Sequence, residues 1–172
     1  IGNKNGNYLD CTFGSGAHSI ALLENLGKKA KLTAIDKDNS LTLSAEKIKS
    51  KDIRFNFVRS DFSKVDKVTS PNSVDGILAD LGISSFQLDD PSRGFSFKYP
   101  GPLDMRMDQQ QELSAEEWIN SAEKKEIEDV LKHLGEESNS RNISKRICEV
   151  RKKQRITTTK DLSRIISFCN KR

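Results

Sequence analysis

The sequence has little to staple it and nothing to hold it in a bilayer. Its three cysteines, Cys11, Cys148 and Cys169, are an odd number, and separations of 137 and 21 residues match neither zinc-ligand spacing nor a disulfide framework. A reducing compartment is expected. No apolar run approaches the roughly 18 residues of a membrane span, and the opening IGNKNGNYLD lacks the charged-then-apolar order of a signal peptide. The expectation is a soluble, unsecreted, cytoplasmic chain with no membrane partner. Internal repeats and low-complexity segments are also missing, which excludes a solenoid. With 172 residues and 34% hydrophobic content, there is material for one main core and a small satellite.

Charge is present but unevenly spread. The formal net charge is +4, yet Arg141 to Arg172 holds 11 Lys or Arg against Glu149 and Asp161, a net of +9, so residues 1–140 carry −5. Such a basic segment suits a polyanion such as RNA, because each neutralised phosphate releases counterions. A solvated helix face is the plainer reading of the same pattern.

The first 80 residues alternate short apolar runs with helical segments, which calls for a parallel sheet with crossover helices. Strands are expected at 8–12, 31–35, 53–58 and 74–79. Between them, Ile20, Leu22, Leu23 and Leu26 mark one helix, and Leu41, Ala45 and Ile48 mark a second over about 39–49. From Leu81 to Asp108 neither period persists, yet Phe86, Leu88, Phe95, Phe97, Tyr99, Leu103, Met105 and Met107 make the stretch too apolar for a linker, so a functional loop is expected. Beyond it the pattern is helical. Ser114 and Glu117 form a capping box, Ile127, Val130, Leu131 and Leu134 make a stripe, Ile143, Ile147 and Val150 make another, and a last helix starts near Thr158 with Leu162, Ile165 and Ile166 buried. The expected domains are a cofactor-binding core over 1–108 and a helical, RNA-recognising part over 109–172.

The turn from strand one into the first helix, Asp10-Cys-Thr-Phe-Gly14-Ser-Gly16-Ala-His18-Ser19, lies at the crevice where open α/β sheets bind ligands. Gly14 and Gly16 allow a sharp turn and close backbone approach. A dinucleotide fold wants a third glycine at position 19, where Ser19 stands, and Asp10 repels a diphosphate while suiting the ammonium end of a methionine moiety. The sign of the charge therefore favours a sulfonium cofactor over NAD. Asp36 ends strand two and can accept from both ribose hydroxyls, which does not separate the two cofactors. Asp61 and Phe62, after strand three, offer a carboxylate and a ring beside an adenine. Asp80, after strand four, reaches the place of the methyl group, where a fixed acceptor can orient the weakly nucleophilic amine of a base. Each Asp alone is more often a turn residue; their recurrence after four successive strands is the signal.

The stretches YLDCTFGSGAHS, AIDKD, DGILADLGISSFQLDDPSRGFSF and GPLDMRMD, followed by SAEEWIN, LGEE and TTKDL, run from about residue 8 to 165. In that order they resemble the MraW family of bacterial ribosomal RNA small-subunit methyltransferases. The resemblance implies a class I S-adenosylmethionine-dependent methyltransferase: an α/β, Rossmann-like, doubly wound parallel sheet lacking its last strands, with a helical inserted domain. It implies transfer to the N4 amine of a cytidine in small-subunit ribosomal RNA, with cofactor contacts at Gly16, Ala17, His18, Asp36, Phe62, Asp80 and Gln87. Ala17 stands where the family usually has glycine, and Phe86 where it usually has proline. Family members also run on well past the helical part, so strand four is expected to be an open edge unless a homodimer partner or a further segment covers it.

Plainer readings stay open beside these. His18 also fits a helix-start residue that contacts backbone, His133 has no site role, and Cys11 reads as a small buried hydrophobe. Met105 and Met107 fit a core gap; alternatively Asp104 and Arg106 hold a flipped cytidine, which makes Asp104 a second catalytic candidate beside Asp80. A binding-only module and an NAD-dependent oxidoreductase are the competing functions.

Overall fold

A computed structural model describes residues 1–96 and 98–169. Phe97, counted above among the apolar residues, and Lys171 and Arg172, counted in the basic segment, lie outside the described residues. The chain divides into two compact units, Ile1–Phe86 with Met107–Gln109, and Gln87–Arg106 with Gln110–Arg172. The stretch 87–106, assigned above to the core domain, thus groups with the helices.

In the first unit, the short apolar runs build a four-stranded parallel sheet from β1 (Asn7–Asp10), β2 (Lys31–Asp36), β3 (Phe55–Arg59) and β4 (Gly76–Leu78), in the order β3-β2-β1-β4. Tyr8, Leu32, Ala34 and Phe55 face α1 (Ala17–Asn25) and α2 (Thr42–Lys49), packing with Phe13, Leu23, Leu26, Leu41 and Ala45. Leu9, Cys11 and Ile35 point the other way, against Val58, Val65, Val68 and Val74 of β3 and the β3–β4 connection. Both faces of the central strands β1 and β2 are thus covered, as in a doubly wound Rossmann-like sheet. Register sets Asp10 opposite Ala34 of β2 and Leu78 of β4. The chain winds from β1 outward to β3 and returns to place β4 on the far side of β1, so the switch point lies between the carboxyl ends of β1 and β4.

Several expected boundaries move, β1 ending at Asp10 and α2 starting at Thr42 among them. Ile53 is 98% exposed and precedes β3, because Arg54 turns back at this point to donate to the carbonyls of Leu23, Leu26 and Gly27 at the end of α1, with Asp52 as its ion partner. β4 is only three residues long, and among the described residues it pairs with β1 alone. Its Ile77 is exposed.

A short helix, α3 (Ser85–Asp89), leads into the second unit, whose helices are α4 (Ala115–Ser121), α5 (Lys124–His133), α6 (Ser140–Arg151) and α7 (Thr159–Cys169). Their apolar stripes converge on Ile119, Ile127, Ile143, Ile147, Ile156 and Ile165. Leu103 joins this core, and its amide donates to the Thr157 carbonyl at 2.9 Å while Thr159 donates back to Gly101 at 3.0 Å. That pairing explains why 87–106 belongs here. The Arg151 guanidinium closes α4 by donating to the Ile119 and Ala122 carbonyls, both at 2.7 Å. Leu134, read as part of the α5 stripe, is 81% exposed just past the helix end. Among the described residues no helix is long and apolar enough to cross a membrane.

Candidate active site

β1 delivers Asp10 to the carboxyl edge of the sheet with no exposed surface. One carboxylate oxygen accepts from the Thr12 amide at 3.0 Å and the other from the Ser19 hydroxyl at 2.7 Å. From sequence, this carboxylate suits the ammonium end of a ligand. The structure instead seals it beneath the turn, where it ties strand end to the first turn of α1. Ser19, read above only as a missing glycine, is its buried partner.

The turn itself needs its glycines. Gly14 has φ +50 and Gly16, at the start of α1, has φ +80, the left-handed region that side chains avoid. A Cβ on Gly16 would meet Ile48 at 2.8 Å and the Phe13 ring at 3.0 Å. Asp36, at the end of β2, secures the turn from the side: it accepts from the Gly14 amide at 2.9 Å and from the Asp38 amide at 3.0 Å. Ala17 is the first residue of α1 and is exposed, as is His18.

Asp80 reaches the same turn from β4. Its amide donates to the Thr12 hydroxyl at 2.8 Å, and its carboxylate lies 3.8 Å from His18 Nδ1. Both side chains are open, 70% and 51% exposed. The distance is too long for a hydrogen bond, so the two attract as an ion pair only when the imidazole is protonated. Thr12, missed by the sequence reading, is the anchor; its signal was a hydroxyl residue two places after a strand-end Asp.

Asp61 follows β3 and accepts from the Ser63 amide at 2.9 Å, with the Lys37 ammonium 3.4 Å away. The Ser63 amide, aided by Lys37, holds its carboxyl below the usual range against the opposing effect of burial. Lys37 was not foreseen either. Phe62 beside it is exposed. Burial, with the Asp10 charge adding to it, pushes the Cys11 thiol up, which suits an inert buried residue and not a nucleophile.

Gly14, Gly16, His18, Asp36, Asp61 and Asp80 are therefore gathered on one sheet edge. Gln87 and Asp104 belong to the second unit. Gln87 is buried in α3. The Asp104 carboxylate is taken up by Arg106, whose amide, Nε and Nη2 donate to it at 2.9, 3.0 and 2.7 Å. These bonds hold its carboxyl below the ordinary value and pin the turn at Met105, whose φ is +59.

The family model described as the MraW methylase family matches residues 2–171. The chain belongs to the MraW methylase family. Curated relatives carry the name ribosomal RNA small subunit methyltransferase H. The protein of Rickettsia bellii (strain OSU 85-389) is 51% identical over 164 residues, covering 94% of this chain and 52% of the relative. That of Alcanivorax borkumensis is 46% identical over 163 residues, with 94% and 52% covered. That of Rickettsia prowazekii (strain Madrid E) is 46% identical over 162 residues, again 94% and 52%. The chain spans about half the length of the curated relatives it matches. Membership in this methylase family implies a methyl donor, and the parallel sheet with flanking helices is the Rossmann-like methyltransferase fold.

Proposed function

We propose that the chain forms the donor-binding half of an S-adenosylmethionine-dependent methyltransferase whose acceptor is the N4 amine of a cytidine in small-subunit ribosomal RNA. The observation that carries this is the exposed Asp80 carboxylate at the switch point, anchored through its own amide to Thr12 of the glycine turn. When bound, S-adenosylmethionine supplies an electrophilic methyl group. The residues fit it in charge: the 10–19 turn contains no Lys or Arg to hold a diphosphate, while Asp36, Asp61 and Asp80 offer carboxylates for hydroxyl and cationic groups. Asp36 is the candidate for the ribose hydroxyls, Phe62 for the adenine face, and Gly14 to Ala17 for close backbone approach, with Asp10 beneath them as the positioning residue.

Asp80 has the oxygen to accept from an exocyclic amine, and that contact aligns the nitrogen and localises its lone pair. His18 Nδ1 lies 3.8 Å from the Asp80 carboxylate. The partner is small-subunit ribosomal RNA, the substrate for which the relatives are named; the basic run from Arg141 onward supports that choice. Gln87 and Asp104 remain candidates from the resemblance, Asp104 now as the organiser of its own turn. A cofactor- or RNA-binding module without turnover is the second reading.

Calorimetric titration with S-adenosylmethionine and with NAD tests the reading: heat with the first alone is expected, and heat only with NAD refutes it. Asp36→Ala is expected to weaken S-adenosylmethionine binding by more than about 1 kcal/mol, since a hydrogen-bonded anion is lost. Tritium transfer to small ribosomal subunits then separates the enzyme from the module.

A further inference from the structure

The second unit holds a groove of about 950 Å3 bordered by residues 94–96, 98–100, 103 and 105 and by α7. That volume is at the upper end of the roughly 300–1,000 Å3 typical of ligand sites. Lys160, Arg164 and Phe168 recur every four residues along α7, which stacks them on one helical face toward the groove. Lys98 and Tyr99 line it from the other segment. Tyr99 is 56% exposed and Phe168 68% exposed, so both rings reach the surface beside the cations. Among the described residues no carboxylate lines the groove.

A solvated basic face needs no aromatic rings, and an apolar docking face needs no cations. The two together match a surface for single-stranded nucleic acid, where bases stack on rings and cations follow the phosphates. One boundary is visible. Phe168 also lines an adjoining cleft that contains Glu137 and Glu149, and Arg146, paired with Glu149 at 3.3 Å, lies over the Phe168 ring at 4.9 Å. Those carboxylates repel a phosphate backbone at that end.

We propose that this groove holds a single-stranded stretch of RNA, with Tyr99 and Phe168 stacking on bases and Lys98, Lys160 and Arg164 neutralising phosphates. The site is distinct from the donor-binding edge, and it rests on reading the chain as one that acts on RNA.

Fluorescence anisotropy of the whole chain with a fluorescein-labelled 12-nucleotide single-stranded RNA tests it, beside a duplex RNA of equal length and a poly-glutamate peptide. Tyr99→Ala is expected to weaken single-strand binding roughly tenfold while leaving the salt dependence unchanged. The double variant K160Q/R164Q is expected to weaken it and to lower the slope of log K against log salt by about 1.4, two phosphates at ~0.7 each. Phe168→Leu, which keeps an apolar side chain, checks stacking without emptying the surface. Absence of RNA binding, unchanged affinity in Tyr99→Ala and K160Q/R164Q, or equal affinity for poly-glutamate overturns the proposal. Titration of each variant with S-adenosylmethionine keeps the two readings apart: loss of RNA binding with normal donor binding concerns the groove, and failure of donor binding in the unmutated chain concerns the proposed function.

Discussion

Two carboxylates at the sheet edge look alike in sequence and differ completely in setting. Asp10 is sealed and fully bonded, so its partner is expendable only at a cost: Ser19→Ala leaves a buried carboxylate oxygen without its donor. Urea unfolding should show a loss of about 1–3 kcal/mol, and an unchanged midpoint would mean that water replaces the hydroxyl freely. Asp80 is open, and its link to the turn runs through the backbone amide, which survives truncation of the side chain. Asp80→Ala should therefore fold normally and lower methyl transfer by on the order of 100-fold while affecting donor affinity far less; equal losses in both would reduce Asp80 to a donor-binding group. Which Asp follows which strand was legible in the sequence. Whether it faces solvent or interior was not, because that depends on Ser19 and Thr12, neighbours in space that carry no periodic signal.

At the level of elements, local chemistry was a good guide wherever it was self-contained. The capping box forms as read: the Ser114 hydroxyl accepts from the Glu117 amide at 3.2 Å, and the Glu117 carboxylate accepts from the Ser114 amide at 3.0 Å. Ser114→Ala should cost about 1 kcal/mol in a thermal or urea melt; no change would show that α4 is held by packing alone. Ends set by distant contacts were misread. β3 starts at Phe55, after Ile53, because Arg54 serves the end of α1. Leu134 falls beyond the last turn of α5 as its C-cap, and Glu136 two residues on has φ +50. The stretch 81–108 shows no sustained period because its helical pieces, 85–89 and 91–93, are short, and 101–103 is held instead by hydrogen bonds with Thr157 and Thr159 and by Leu103 in the helical core. No window on the sequence contains both partners.

For the whole molecule, hydrogen-bonded carboxylates contribute to the behaviour in acid. Asp104 is held low chiefly by its bonds to Arg106, and Asp61 by the Ser63 amide. A depressed carboxyl contributes stability that is present above its unfolded value of about 3.9 and is lost as pH falls through its folded value. Asp104→Asn should accordingly be destabilising near about pH 7, and its gap from the unmutated chain should narrow toward about pH 3. A gap that stays constant across urea melts at the two pH values would show that the charge contributes nothing. The sequence by itself determined the parallel α/β pattern, the glycine turn, the carboxylate after each strand and the family, since each is written in residues close together along the chain. Only tertiary structure decided that Asp10 supports the turn while Asp80 is open at it, that 87–106 joins the helices, and that Tyr99 shares a groove with Lys160, Arg164 and Phe168. The reason is physical: burial and pairing are set by groups far apart in sequence, and a side chain's chemistry is fixed by what surrounds it.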